Sequence, residues 1–434
     1  MMRTILLLSS VPFVFRLALY LMRLIRVSRF LAFCSSSPSN VDATDVRPGT
    51  KILLLIPVLR EQSVITRTIE HFCDMALNCA DLRVMIVGTC RETRSRGTTT
   101  LDIVRQWLDS FSDRIPGNMR VDYCEANDEG GDRASQLNWA VARASDVGWT
   151  DWDVVGVYDA DSLPSRDSIV EAAKAFAFVP GLAACQQPAR FVLAANEMAH
   201  KADNPLLVAN ALYQDTWTII SELPMWIDYS NSVRSGHKSF RHLYFIGHGE
   251  FLSRTAYEKF RFPEGEVTDG IQLGYRMGLS GALAVPLAVF CEDDVPHGIR
   301  SLIKQHKRWF GGCMNLFSAY KSTGKHDEIV QLIQIIDGLW SQARWAWASF
   351  SFLLLCGLSL CFDLVTFTVH CVLLVAYCYI LPLLSHKVMR ADISVRFIDW
   401  LCIPLAVLIK AIGPNLYFCE KFFMKTVRYE KVER

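Results

Sequence analysis

The stretch Val154-Val155-Gly156-Val157-Tyr158-Asp159-Ala160-Asp161 ends a short β-branched run on two carboxylates with one small residue between them. Side chains along a strand alternate with a period of two, so Asp159 and Asp161 are expected to point the same way at the strand's exposed end. Two hard oxygen ligands placed like this suit Mg²⁺ or Mn²⁺ and leave coordination positions open for a substrate's phosphates. The competing interpretation is a pair of carboxylates in a surface turn, because D-x-D by itself is common. The rest of the chain has to decide between them.

Working outward, the pattern from residue 51 to about 182 alternates. Lys51 to Pro57 is a continuous apolar strand, Glu61 to Ala76 reads as a helix, and Leu82 to Val87 is a strand. Leu101 to Phe111 is a helix, Met119 to Cys124 a strand, Arg133 to Ala144 a helix, and Asp153 to Tyr158 a strand. Apolar strands separated by amphipathic helices imply an α/β fold with a parallel sheet covered on both faces. Ligands of such sheets bind beyond the carboxyl ends of the strands, which is where Asp159 and Asp161 fall.

Composition limits the partners. With 45 basic and 44 acidic residues the chain offers no polyanion-binding surface, so nucleic acid is not expected. The 434 residues allow about two or three domains. A hydrophobic fraction of 51% and a mean hydropathy of +0.21 are high for a soluble protein, and the excess lies at the two ends. The fourteen cysteines show no C-x-x-C pairs, and five of them sit in apolar surroundings between Cys356 and Cys402. Neither a disulfide framework nor a zinc site is suggested, which fits a reducing compartment.

Residues 5 to 22 are apolar except for Arg16, and Arg23, Arg26 and Arg29 follow. They read as an uncleaved membrane anchor with a cytosolic basic flank, in competition with a signal peptide. Near the other end, Ile329, Leu332, Ile333, Ile336 and Trp340 share one helical face opposite Glu328, Gln331, Gln334 and Asp337. That pattern suits a helix lying in a membrane interface. Trp345 to Phe362 and Leu364 to Leu384 are each long enough to cross a bilayer. Asp399 to Cys419 is a third candidate, interrupted by Lys410 and Pro414. Basic residues before and after this third segment both suggest cytosol, which cannot both hold if it crosses fully, so a re-entrant or interfacial segment stands beside a full crossing with one flank reassigned.

Further groups accompany the carboxylate pair. Gln305, Arg308 and Trp309 form Q-x-x-R-W, in which a guanidinium fork matches a diphosphate and an indole can wall a sugar. Arg133-Ala134-Ser135-Gln136-Leu137-Asn138 opens a helix whose basic residue and terminal N–H groups can meet a phosphate. Gly247-His248-Gly249 permits close backbone approach, and Thr268-Asp269-Gly270 precedes a helical Leu273-Gly274-Tyr275-Arg276. Singly, each fits a turn glycine, a core tryptophan or a solvated arginine. Their joint order is much harder to produce by accident.

On these motifs the chain resembles the membrane-bound branch of glycosyltransferase family 2, which includes polysaccharide synthases, over roughly residues 50 to 320 and into the flanking membrane segments. The resemblance implies a GT-A, Rossmann-like nucleotide-sugar domain. In it Ile56-Pro57-Val58-Leu59-Arg60-Glu61 stands for the family's P-x-x-N-E, making Pro57 and Glu61 donor-site residues. It further implies that Asp159 and Asp161 hold a Mg²⁺ or Mn²⁺ ion and the donor diphosphate. Arg133 and Asn138 occupy its K-x-x-x-L-N-type stretch, and Gln305, Arg308 and Trp309 its intact signature.

Two departures accompany the match. The family's second strand usually ends in a carboxylate that helps bind the base, but Ile86-Val87-Gly88-Thr89 has none. The family's T-E-D-x-x-L-G-x-R becomes Thr268-Asp269-Gly270-Ile271-Gln272-Leu273-Gly274-Tyr275-Arg276, so its catalytic aspartate aligns with Gly270. Asp269 is assigned as the base, with Glu266 and Glu250 in reserve.

The expected activity is inverting, metal-dependent transfer from a nucleoside diphosphate sugar, UDP-sugars first, to a lipid-linked or glycan hydroxyl. The expected setting is the cell membrane, multi-pass, with the catalytic domain cytosolic. Rival expectations are a processive synthase exporting its polymer and a nucleotide-sugar-binding pseudoenzyme scaffold. The implied layout is an anchor over 1–34, a linker over 35–50, the transferase domain over 51–320 and an interfacial helix over 321–344. C-terminal transmembrane helices over 345–420 and a basic cytosolic tail over 421–434 complete it.

Overall fold

A computed structural model describes residues 2–36, 50–76, 81–93, 97–127, 131–191, 204–296, 298–324, 327–390 and 395–424. Most of the expected linker and of the basic tail lies outside the described residues.

β1 (Ile52–Pro57) is apolar at every position and buried on both faces, as a central parallel strand must be. It pairs in parallel with β2 (Leu82–Thr89) on one side and β4 (Val154–Val157) on the other, and β2 pairs in parallel with β3 (Met119–Ala126). Beyond β4 the sheet changes direction. Glu250–Ser253 runs antiparallel to β4 with Glu250 opposite Val157, and Ala184–Gln186 and Ala284–Pro286 extend the sheet to seven strands among the described residues.

The intervening helices form where their caps and apolar stripes dictate. Thr99 and Asp102 make a reciprocal capping box at the start of Thr100–Phe111. Asp132 accepts from the Ser135 N–H at 2.8 Å to start Arg133–Asp146. Apolar residues cover both faces of the sheet. Ile69, Phe72, Val104 and Trp107 pack with Leu54 and Ile56 on one side. On the other, Leu137 and Ala140 pack with Leu53 and Leu55, in a cluster that also takes in Tyr20, Leu24 and Val27 of the N-terminal helix Met2–Ser36.

Three boundaries differ from expectation. The first helix begins at Ile65 rather than Glu61, because the backbone N–H of Glu61 is taken by the Thr100 hydroxyl at 3.0 Å and the preceding residues form a loop. β4 ends at Val157, so Asp159 and Asp161 sit in a turn closed by Ser162 N–H to Asp159 O at 3.1 Å, not on the strand itself. The expected interfacial helix and first C-terminal span form one uninterrupted helix, Glu328–Phe362.

The amphipathic half of that helix turns its polar side inward. Gln331 and Gln334 are buried and donate to Leu279 O and Ser239 O at 3.1 and 2.7 Å, while Asp337 accepts from Arg241 at 2.9 Å. Ile329, Leu332, Ile336 and Trp340 are exposed. An ordinary surface helix does the reverse.

Among the described residues four helices are long and apolar enough to cross a membrane: Arg3–Ser35, Glu328–Phe362, Leu364–Val388 and Ile403–Met424. The last runs through both Lys410 and Pro414.

Candidate active site

The turn after β4 opens into a cavity of about 880 Å³. Asp159, Asp161, Arg133, Pro57 and Glu61 line its sheet side. Asp269, Gln305, Arg308 and Trp309 line the same cavity. Residues from both halves of the sequence therefore meet in one space, as the motif order requires.

Arg133 ties the two sides together. Its guanidinium donates to Asp159 at 2.9 Å, to Asp269 at 2.6 Å and to the Gly247 carbonyl at 2.5 Å. Burial opposes its charge, but Asp269, Asp159 and Glu250 around it more than offset that and raise its pKa.

The helix Asp269–Leu279 starts at the cavity wall, with Asp269 buried in its first turn. A Cβ at Gly270 would lie 2.4 Å from the Gly247 Cα and 2.9 Å from a Glu250 carboxylate oxygen, so no side chain fits there. The helix Ile299–Met314 that carries Gln305, Arg308 and Trp309 closes against the same corner. Gly312 makes this possible, because a Cβ there would lie 1.8 Å from the Thr268 hydroxyl. The T-D-G segment thus packs directly against the helix that carries Q-x-x-R-W.

The reserve carboxylates behave differently from one another. Glu266 is engaged by Asn315 at 3.0 Å and Ser318 at 3.1 Å. Glu250 is fully buried, and among the described residues neither of its carboxylate oxygens has a hydrogen-bond partner. Burial and the nearby Asp269 push its pKa up to about 8, against the pull of Arg133.

Asn138 is a correction. Its amide donates to Phe262 O at 2.9 Å and Glu264 at 2.8 Å, and its carbonyl oxygen accepts from Phe262 N–H at 3.2 Å. These bonds pin the Phe262–Glu264 loop, and Asn138 does not reach the cavity. The carboxylate missing from the end of β2 has a neighbour three residues on, but Glu92 is buried under Thr100 and Gln62, accepting at 2.8 and 2.9 Å.

Other cavity residues gave little signal in the sequence. His248 stands 2.9 Å from Asp293, and both line the cavity. With Cys291 they form the one group of three or more His, Cys, Asp or Glu side chains among the described residues whose donor atoms are close enough to share an ion. Burial and Asp293 hold the Cys291 thiol protonated, which makes it a poor ligand. Asp159 and Asp161 offer the harder donor set on one turn facing one space, and they fit Mg²⁺ or Mn²⁺ better.

At the far end, Lys410 sits among three aromatic rings, 4.9 Å from Tyr213, 4.6 Å from Trp217 and 5.7 Å from Trp345. Glu222 lies nearby, its pKa raised by burial and opposed by a 3.1 Å hydrogen bond from Tyr244. A lone lysine in an apolar segment is the only hint the sequence gives of this end.

Among solved structures, the mannosyltransferase PcManGT from Pyrobaculum calidifontis, in complex with GDP-Man and Mn²⁺, is similar at 15% identity and a TM-score of 0.48. The match covers 97% of this chain and 100% of that one. Glucosyl-3-phosphoglycerate synthase from Mycobacterium tuberculosis, in complex with Mn²⁺, UDP-glucose and phosphoglyceric acid, is similar at 16% identity and a TM-score of 0.37. That match covers 64% of this chain and 84% of that one. No curated protein matches by sequence. The model of glycosyl transferase family group 2 matches residues 154–384, from the strand before Asp159 past the Q-x-x-R-W helix and on through most of the third apolar segment. That match spans more than half of the sequence, and the chain belongs to glycosyl transferase family group 2.

Proposed function

We propose that this glycosyltransferase moves a sugar from a nucleoside diphosphate sugar, UDP-sugars first, to a hydroxyl of a lipid-linked or glycan acceptor, with inversion at the anomeric carbon. One observation carries the proposal. The cavity holding Asp159, Asp161 and Arg308 continues to Trp345 and Lys410, which belong to two of the helices able to cross a membrane.

Asp269 acts as general base. It takes the proton of the acceptor hydroxyl as that oxygen forms a bond to the anomeric carbon. The bond from that carbon to the diphosphate oxygen breaks, and the nucleoside diphosphate leaves on the opposite face. Arg308 meets the charge that develops on the departing diphosphate. Arg133 holds Asp159 and Asp269 at fixed separation through its two ion pairs. Asp159 and Asp161 hold Mg²⁺ or Mn²⁺, which when bound supplies Lewis-acid neutralisation of the diphosphate. Trp309 walls the sugar, and Pro57 and Glu61 belong to the nucleotide end.

The expected division into anchor, transferase domain and C-terminal spans belongs to this proposal, as does a cytosolic site in a multi-pass cell-membrane protein. The inward polar face of Glu328–Phe362 supports it, because the apolar residues left outside suit a bilayer surface.

The test is a panel of UDP- and GDP-sugars with lipid-linked and glycan acceptors, scored by nucleotide release with Mn²⁺ and with EDTA. One donor should give acceptor-dependent release that EDTA abolishes. Donor binding with no turnover in any acceptor mixture would favour the scaffold instead.

A further inference from the structure

Arginines converge where the N-terminal helix, the helix Glu328–Phe362 and the segment Thr218–Glu222 meet. Arg16 and Arg23 stand seven residues apart on one helical face, about 10 Å along its axis. Arg23 donates to the Ile220 carbonyl at 3.3 Å. Arg344 has one weak contact, to the Ser341 hydroxyl at 3.4 Å, and its Nε is buried with no partner. Arg16, Arg241 and Asp337 lie within electrostatic reach of Arg344, and Arg241, Arg344 and Asp228 within reach of Arg23.

The nearby carboxylates are committed elsewhere. Asp337 is held by Arg241 at 2.9 Å and His242 at 2.6 Å, and Asp228 by Arg26. Among the described residues none lies within ion-pair distance of Arg16, Arg23 or Arg344. Like charges gathered in a partly buried, low-dielectric setting repel, and an anion between them removes the penalty.

Tyrosines mark the level of the cluster. Arg23 lies 5.9 Å from the Tyr20 ring, and the Tyr20 and Tyr377 rings meet edge-on at 6.1 Å. Tyrosines collect at the headgroup level of bilayers, and basic pockets between membrane helices bind phosphate headgroups there.

We propose that Arg16, Arg23 and Arg344 bind the phosphate of an anionic membrane lipid, at a site distinct from the transfer cavity. The proposal rests on the membrane assignment above but not on the transfer chemistry. The two sites share a wall. Thr218–Glu222 is a π-helical turn whose Ile220 carbonyl accepts from Arg23, while Thr218 and Glu222 line the cavity. A bound headgroup steadies that wall from behind.

Native mass spectrometry of the full-length protein, without donor, tests this in three arms: phosphatidylglycerol, phosphatidylcholine and a polyprenyl phosphate. The wild type should retain phosphatidylglycerol or the polyprenyl phosphate over phosphatidylcholine. Whichever is retained identifies the source as bulk phospholipid or acceptor-type lipid. Arg23→Gln/Arg344→Gln should weaken retention about tenfold or more, and Arg23→Lys/Arg344→Lys should largely restore it. If the double variant does not fold, Arg16→Gln should show the same direction. No preference over phosphatidylcholine, or equal retention by wild type and the glutamine variants, overturns the site. Because the assay contains no donor, a protein that retains the lipid but transfers no sugar contradicts only the transferase proposal.

Discussion

Asp269, the proposed base, stands one residue before the position at which the resembled family carries its aspartate, and Gly270 occupies that position. The Gly247 backbone fills the space where a side chain at 270 would go, and the carboxylate stands one residue earlier, paired with Arg133 at 2.6 Å. Asp269→Asn should lower the transfer rate by ~10² to 10⁴-fold with donor affinity unchanged, measured by turnover alongside calorimetric donor binding. Turnover near wild type would remove Asp269 from the base role. Gly270→Ala should lower thermal stability by about 1–3 kcal/mol or more through overpacking against Gly247, and unchanged melting would show that the corner yields. Glu250 gives a pH signature. Its pKa rises from 4.5 to about 8 on folding, so across that window the folded state keeps a proton that the unfolded state releases. Stability contributed by neutral Glu250 is full below about pH 4.5 and is lost as pH rises through about 8. Melting in EDTA should therefore fall from pH 5 to 8.5 in the wild type more steeply than in Glu250→Gln. Parallel curves would show that Glu250 does not titrate there.

At the scale of elements, the helix Glu328–Phe362 and the last helix carry the account from the sheet to the membrane. Gln331, Gln334 and Asp337 fix the first to the catalytic side, so Trp345 reaches the cavity from a helix that continues toward a bilayer. Lys410 reaches it from the last helix, held by Tyr213, Trp217 and Trp345. An ammonium among three rings is stabilised by about 0.5–2 kcal/mol, and an ionisable side chain in an apolar segment usually marks function. Lys410→Met should lower kcat/KM for the acceptor about tenfold while leaving donor KM unchanged. An equal effect on both substrates would assign Lys410 to general packing. In the sequence these two elements were only partly legible. Periodicity separated an amphipathic stretch from an apolar one, but nothing marked their join, because a helix without proline at the seam continues where polarity changes. Lys410 read as an interruption because its partners come from residues about 65 to 200 positions away.

At the scale of the molecule, the parallel half of the sheet was legible because β1 and β4 read as unbroken apolar runs and β2 is apolar from Val84 to Val87, all of them buried on both faces. The antiparallel half was not. Glu250–Ser253 is four residues long and begins with a buried carboxylate, which carries no strand signal. Of the motif residues, those lining the cavity were legible in the sequence, whereas Asn138 lies outside it, its amide consumed by a loop some 120 residues further on. Likewise, no spacing rule brings Arg16, Arg23 and Arg344 together. The central claim is that Asp161, through its cation, and Arg308 grip the same diphosphate. A double-mutant cycle on Mn²⁺-dependent donor binding, with Asp161→Asn, Arg308→Gln and their combination, measures this directly. A shared ligand should make the combined loss smaller than the sum of the single losses by about 0.5–3 kcal/mol. Losses that add within about 0.5 kcal/mol would mean that the two residues act on separate things, and the common leaving-group site would be contradicted.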